Sequence, residues 1–252
     1  MTARPRARAY DPDRTRTALL REAEAVRAMV AEIGSEALGA PTRLPGWTVG
    51  GLITHLAAVL AALPGQAAGP APGGQRLDIQ GYLAAYRRPA AVAPDPDPAA
   101  RLTAATGALA GAHPDPGALT GTPHGPMTAG DFALTRVLET VLYADDLAAA
   151  TGRTAAHDRQ ALAITTRLLA DALAARAPGG SVEVRIPPFA VVQCVQGPRH
   201  TRGTPPNVVE TDPLTWLRLA AGRIGWASAV EEAAVTASGE RADISAQLPL
   251  LD

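Results

Sequence analysis

The stretch that most restricts the fold is "TAGDFALTRVLETVLYADDLAAATG" at residues 128–152. Thr128 is a suitable N-cap and Gly152 a suitable stop, so this stretch predicts one long helix. Its apolar residues cover almost the whole circumference, which is typical of a helix buried on all sides. Such a helix needs other helices around it, and we therefore expect a helical bundle.

The same helix carries a narrow polar stripe that consists of Arg136, Glu139, Tyr143 and Asp146. A buried carboxylate requires a partner, which is an arginine, a protonated histidine or a metal. Arg136 lies one turn from Glu139 and would meet that need within the helix. The alternative is a partner on a facing helix, because bundles commonly build sites from side chains that project inward.

The remaining chain divides into a helical part and a mixed part. Apolar periodicity and cap residues predict helices over 13–33, 48–63, 79–86, 99–112 and 157–176, with loops at 64–76 and 113–127. The turn residues "APGG" at 177–180 mark the expected domain boundary. Beyond them, "SVEVRIP" and "AVVQCVQG" are typical of strands, and "DPLTWLRLAAGR" begins with a helix-start pair. The predicted fold is a helical bundle over 1–178 followed by a small α+β domain over 179–252.

His55 lies in the predicted helix 48–63, within "WTVGGLITHL" at residues 47–56. It is one turn from Leu52 and Val59, which belong to the inward apolar stripe, so it faces the bundle core. It is either a core histidine satisfied by one hydrogen bond or a functional residue opposite Glu139. Trp47, just before the helix, is interpreted as a packing residue.

Two motifs resemble the signatures of the mycothiol-dependent maleylpyruvate isomerase-like proteins. They are "LPGWTVGGLITHLA" at 44–57 and "RVLETVLYADDLAAATG" at 136–152. The resemblance implies a DinB-like four-helix bundle in which His55 and Glu139 bind a divalent metal, usually zinc. The metal would activate the thiol of mycothiol, a small thiol of actinobacteria, as a co-substrate.

The third ligand position departs from this family, because Tyr143 stands where the family has a histidine. A neutral phenol is a poor zinc ligand. Either water or another residue such as Asp146 completes the metal's coordination shell, or the metal is lost. In the second case His55, Glu139 and Tyr143 would form a hydrogen-bonded remnant.

The C-terminal part resembles the sterol carrier protein-like domain that is fused to this bundle in many actinobacterial proteins. The similar stretches are "RIPPFAVVQCVQG", "TWLRLAAGR" and "ASGERADIS". The resemblance implies a curved sheet and helices around an apolar tunnel, which binds a hydrophobic ligand, or else a lid over the metal site. Arg199 and Arg202 lie in the loop "GPRHTRGTPPN". They are either solvated or form two guanidinium forks for a substrate carboxylate or phosphate.

Composition excludes several classes of partner. A net charge of −1 gives no attraction for nucleic acid or an anionic membrane, and no apolar run is long enough for membrane insertion. The single cysteine, Cys194, forms no internal disulfide, so a cytoplasmic location is expected. All 23 basic residues are Arg, which indicates a GC-rich bacterial genome and agrees with the actinobacterial origin that the resemblance implies.

Three functions remain after these exclusions. The first is a metal- and mycothiol-dependent isomerase or transferase that acts on a small acidic or electrophilic substrate. The second is a non-catalytic sterol carrier-like protein that binds a hydrophobic ligand and retains a degenerate metal site. The third is a structural or regulatory protein without a ligand. The sequence leaves the oligomeric state open.

Overall fold

The first part of the chain is helical, as expected. The structure, a computed structural model, describes residues 8–65, 75–122, 124–198 and 205–251. Its first six helices are α1 (Pro12–Ala31), α2 (Val49–Gly65), α3 (Ile79–Ala85), α4 (Pro98–Gly111), α5 (Ala129–Thr151) and α6 (Arg159–Arg176). These bounds agree with the predicted helices to within two residues at each end.

Helix α5 forms the centre of the bundle. Helices α1 and α2 each pack against both α4 and α5, while α6 lies against α1 and α5. The Thr128 hydroxyl accepts a hydrogen bond from the N–H of Asp131 at 3.1 Å, and Gly152 ends the helix with a φ of 66°. Buried residues extend from Ala129 to Ala148, so the predicted burial of this helix is confirmed.

The loop predicted over 113–127 is wrong in its second half. An antiparallel hairpin of β1 (Leu119–Thr122) and β2 (Gly125–Thr128) stands there and packs against the start of α5. Strands of four residues are too short to show clear alternation, and the surrounding Gly and Pro residues favour a loop prediction.

The C-terminal part is the small mixed region that the sequence predicts. Its strands are β3 (Val182–Ile186), β4 (Ala190–Cys194), β5 (Val208–Thr211) and β6 (Val235–Ser238), and its helices are α7 (Pro213–Ala220) and α8 (Trp226–Glu231). The strand order is β4–β3–β5–β6, with β3 and β5 parallel and the outer pairs antiparallel. Strand β5 was not predicted, because it consists of only four residues directly before the Asp-Pro helix start.

One face of this sheet is covered by helices. Helix α6 packs against β4 and α7, and therefore contacts both parts of the chain. Val184 and Ile186, in β3, and Trp216, in α7, are fully buried. The division at residues 178 and 179 stays a prediction. No helix among the described residues has both the length and the apolar character that a membrane crossing requires.

Candidate functional site

Helix α2 places His55 against two larger aromatic rings. Thr48 caps the helix directly after Trp47, and its hydroxyl accepts a hydrogen bond from the N–H of Gly51 at 3.1 Å. The His55 ring meets Trp47 edge-on at 5.1 Å and Tyr143 edge-on at 4.8 Å, measured between ring centroids. Trp47 and Tyr143 are stacked on each other at 6.4 Å. The three rings form one aromatic cluster between α2 and α5.

His55 is neutral at physiological pH. Burial, and secondly the positive charge of Arg136, lower its pKa to about 4. Its Nε2 atom is buried and has no hydrogen-bond partner among the described residues. Buried polar atoms are nearly always paired in folded proteins. The free nitrogen therefore marks a position where a ligand could bind.

Two hydrogen-bonded contacts join α3 to α5. The Tyr82 hydroxyl donates to Oε1 of Glu139 at 3.1 Å, and the hydroxyls of Tyr86 and Tyr143 lie 3.1 Å apart. All four side chains are buried. Tyr82 lies in α3 and Tyr86 directly follows its last residue. Because Glu139 and Tyr143 are four positions apart, the two contacts are about one helical turn from each other along α5.

Glu139 takes Arg136, on its own helix, as its charged partner. The Arg136 Nη2 atom donates to Oε1 of Glu139 at 2.6 Å, and also lies 3.2 Å from the Tyr82 hydroxyl oxygen. Its Nε donates to the hydroxyl of Thr135 at 3.1 Å, and its guanidinium lies 4.5 Å from the centroid of the Phe132 ring. Arg136 is thus held on several sides, and its charge balances that of Glu139.

Tyr143 remains a neutral phenol. Burial, then the neighbouring Tyr86 and Glu139, raise its pKa far above the ordinary value. Its hydroxyl is hydrogen bonded to the Tyr86 hydroxyl, and Nε2 of His55 has no hydrogen-bond partner among the described residues. The hydrogen-bonded remnant of His55, Glu139 and Tyr143 is therefore absent from the described residues.

Asp145 and Asp146, at the next turn of α5, bind arginines from distant parts of the chain. Arg43, from the segment before α2, contacts both carboxylates, with its Nε 2.5 Å from Oδ1 of Asp146. Arg223, after α7, binds Asp146 through Nη2 at 2.9 Å, and Arg218, in α7, binds Asp145 through Nη2 at 2.6 Å. This arginine–aspartate network joins the bundle to the C-terminal part.

The proposed substrate ligands Arg199 and Arg202 lie outside the described residues. Of the other predicted site residues, His55 and Tyr143 are in ring contact. Tyr143 and Glu139 are related only by their position four residues apart in α5. Asp146 is engaged by Arg43 and Arg223.

Two family models match this chain. The model of the mycothiol maleylpyruvate isomerase N-terminal domain matches residues 19–148, more than half of the 252 residues. The chain belongs to the mycothiol maleylpyruvate isomerase family. The model of the bacterial sterol carrier protein ortholog matches residues 158–250. Both resemblances drawn from the sequence motifs are confirmed.

Solved structures show the same fold. The chain is similar to crystal structures of the mycothiol-dependent maleylpyruvate isomerase and of a histidine-to-alanine mutant of that enzyme. For each, the identity is 17%, the TM-score is 0.59, and the alignment covers 91% of this chain and 93% of the other. The helical region followed by a small strand-containing region is therefore confirmed as the fold. No curated protein sequence matches the chain.

The donor set of this mycothiol maleylpyruvate isomerase family member does not fit a catalytic zinc ion. Such an ion takes three protein ligands and one open position. Of the three residues at the family's ligand positions, His55 alone has a fully buried donor atom without a hydrogen-bond partner among the described residues, whereas Glu139 is paired with Arg136 and Tyr143 is a neutral phenol. The described residues contain no group of three His, Cys, Asp or Glu side chains that could hold a metal.

Sequence reasoning missed three aromatic residues beside the family's site. Tyr82 and Tyr86 bond to α5, and His124, at the turn of the β1–β2 hairpin, meets the Tyr82 ring edge-on at 5.1 Å. The spacing of the two tyrosines was a usable signal, because it equals the spacing of Glu139 and Tyr143. His124 falls in the predicted loop 113–127, and only the hairpin places it against Tyr82.

Proposed function

We propose that this protein is a mycothiol-dependent enzyme of the isomerase or transferase type that acts on a small acidic or electrophilic substrate. The observation that carries the proposal is the free, buried Nε2 of His55, at the family's first ligand position and within the matched region. An actinobacterial cytoplasm is the proposed location, since mycothiol is a thiol of those organisms.

In the proposed complex, His55 orients the thiol. Its Nε2 accepts a hydrogen bond from the S–H group, because a neutral imidazole offers one acceptor nitrogen. Trp47 and Tyr143 form the adjoining wall, and sulfur packs favourably at aromatic rings. A thiol with a pKa of about 8.5 is a few per cent thiolate at neutral pH. His55 therefore does not have to take up the S–H proton for the reactive thiolate to form.

The thiolate then acts as a nucleophile on an electrophilic double bond. Addition of sulfur converts this bond into a single bond, rotation follows, and expulsion of the same thiolate restores the double bond in the other geometry. The thiol is regenerated in an isomerisation, whereas a transferase keeps the carbon–sulfur bond and protonates the adjacent carbon. Arg199 and Arg202 are proposed to hold the substrate anion.

The metal-dependent form of this reaction, with His55 and Glu139 as zinc ligands, is the alternative route. One observation favours it, because the neutral His55 with its free nitrogen is a suitable zinc ligand. The pairing of Glu139 with Arg136 and the phenol at position 143 oppose it. We therefore favour the route without metal.

A second candidate function is the binding of a hydrophobic ligand by the C-terminal part. The match to the bacterial sterol carrier protein ortholog supports it. The burial of apolar residues opposes it, because Val184 and Ile186 of β3 and Trp216 of α7 are already fully buried in this part. Native mass spectrometry of the purified protein would detect a copurified lipid.

The primary test compares the wild type with His55→Ala in mycothiol titration calorimetry and in maleylpyruvate isomerisation. His113→Ala, at an exposed histidine, is the matched control. We expect mycothiol-dependent turnover that falls about 100-fold or more in His55→Ala and stays unchanged in the control. Equal turnover in all three proteins, or no mycothiol binding by the wild type, would contradict the proposed function.

A further inference from the structure

Glu139 is committed to contacts that compete with a metal ion. Its Oε1 atom accepts from Arg136 Nη2 at 2.6 Å and from the Tyr82 hydroxyl at 3.1 Å. A divalent cation bound to Glu139 would stand beside a guanidinium of the same sign, which disfavours binding. If Glu139 left this pair to bind a metal, it would leave the buried charge of Arg136 without its partner.

Arg136 has little freedom to withdraw from Glu139. Its side chain is only 8% exposed. The contacts of its guanidinium with Thr135 and the Phe132 ring hold it from two further directions. A cation therefore already lies next to the carboxylate, and it is supplied by the chain itself.

The other candidate ligands are also committed. The Tyr143 hydroxyl is hydrogen bonded to the Tyr86 hydroxyl, and a phenol must lose its proton before it becomes a good metal ligand. Both oxygens of Asp146 contact guanidinium groups of Arg43 or Arg223. Among the fully buried nitrogen and oxygen atoms of these candidate ligands, only Nε2 of His55 has no hydrogen-bond partner in the described part of the chain.

We propose that this family member works without a bound metal, with Arg136 as the permanent cation beside Glu139 and the Tyr86–Tyr143 hydroxyl pair closing the place of the third ligand. The inference concerns the same site as the proposed function and specifies its route. In this route, His55 forms a hydrogen bond to the ligand. Arg136 and Tyr143 are the residues that exclude the metal.

The test measures zinc in tag-free protein that is expressed in zinc-supplemented medium, by plasma mass spectrometry. Wild type and His55→Ala are expected to have the same zinc content, well below one ion per chain. The paired variant Arg136→Gln with Tyr143→His restores a histidine and removes the competing cation. It is expected to bind about one equivalent of zinc or cobalt(II), the latter followed by its visible absorption. Arg136→Gln with Tyr143→Phe is the matched control and should bind neither ion.

Two results would overturn the inference. The first is about one zinc ion per wild-type chain that disappears in His55→Ala. The second is a folded paired variant that still binds no metal, because Arg136 and Tyr143 would then not be what excludes it. Should the paired variant not fold, as judged by circular dichroism, Tyr143→His alone replaces it, and the comparison of wild type with His55→Ala is unaffected.

A mycothiol titration of chelator-treated wild type separates this inference from the proposed function. Binding that is unchanged by added zinc supports both. Binding that appears only after zinc is added overturns the metal-free route and leaves the function standing. No binding under either condition refutes the proposed function, while the zinc measurement still decides the inference.

Discussion

The buried carboxylates in the first and second halves of α5 obtain their partners in different ways. In the first half, Glu139 is neutralised by Arg136 three residues earlier, and a tyrosine from α3 completes its contacts. In the second half, Asp145 and Asp146 are bound by arginines that are 73 to 103 positions away in the sequence. The first arrangement depends mainly on one helix, whereas the second exists only when separate parts of the chain come together.

The difference indicates two roles for buried charge on a single helix. The Arg136–Glu139 pair has one cation for one anion, and the charge of Arg136 contributes to lowering the pKa of His55, so the pair influences the electrostatics of the site. The arginine–aspartate network has three guanidinium groups for two carboxylates and connects three segments of chain. It therefore contributes to holding the C-terminal part against the bundle.

Breaking the network should have the largest effect on stability. Asp146 is fully buried and Arg223 nearly so, and Asp146→Asn would leave Arg223 without a counter-charge and Arg43 with Asp145 alone. We expect the free energy of unfolding to fall by about 3–5 kcal/mol, measured by urea denaturation. Asp171→Asn breaks the more exposed pair with Arg8 and should lower it by about 1 kcal/mol or less. Similar losses in both variants would show that the network is no more important than a surface pair.

Removing the charge of Glu139 should have a smaller effect. Glu139→Gln keeps a hydrogen-bond acceptor for Tyr82 and Arg136, and we expect a loss of about 2 kcal/mol in the free energy of unfolding. Glu24→Gln is the matched control, because Glu24 forms a pair with Arg27 at the same spacing on an exposed helix face. The control should unfold like the wild type. An equal response of the two variants would argue against the buried pair as a stabilising contact.

The hydroxyl pair between α3 and α5 should contribute less again. Tyr143→Phe leaves the buried Tyr86 hydroxyl without its partner and should lower the free energy of unfolding by about 1 kcal/mol. Tyr10→Phe removes a buried hydroxyl that has no hydrogen-bond partner among the described residues, so it should cause no loss. A Tyr143→Phe protein as stable as the wild type would mean that the hydroxyl pair forms no useful bond.

Acid should weaken the network gradually. Burial alone would raise the pKa of Asp145, but hydrogen bonds from Arg218 and Arg43 outweigh burial and hold the pKa below its ordinary value. The contribution is therefore complete above about pH 4 and is lost as the pH falls through the pKa of the folded state. Asp145→Asn should be less stable at neutral pH, and its stability should fall less steeply below about pH 4. Parallel profiles of the two proteins in urea denaturation would contradict this assignment.

The local features of the fold could be predicted because their causes lie within a few residues. Thr128 as a cap, Gly152 as a stop and the apolar circumference between them determine α5. The Asp212-Pro213 pair, which begins α7, is a signal of the same kind. The β1–β2 hairpin and β5 escaped prediction, since strands of four residues receive their stability from neighbours rather than from their own pattern.

For the site, the sequence by itself determined that His55 faces the bundle core and that Glu139 and Tyr143 share one stripe of a buried helix. Helical periodicity and burial are sufficient for both conclusions. Only the tertiary structure decided that Glu139 keeps Arg136 and gains Tyr82, that Tyr143 bonds to Tyr86, and that Asp146 belongs to the network with Arg43 and Arg223. With 23 arginines and 24 acidic residues in the chain, many pairings are compatible with the sequence. The packing of distant segments selects among them, because a charge that loses water on burial needs its partner within a few ångströms.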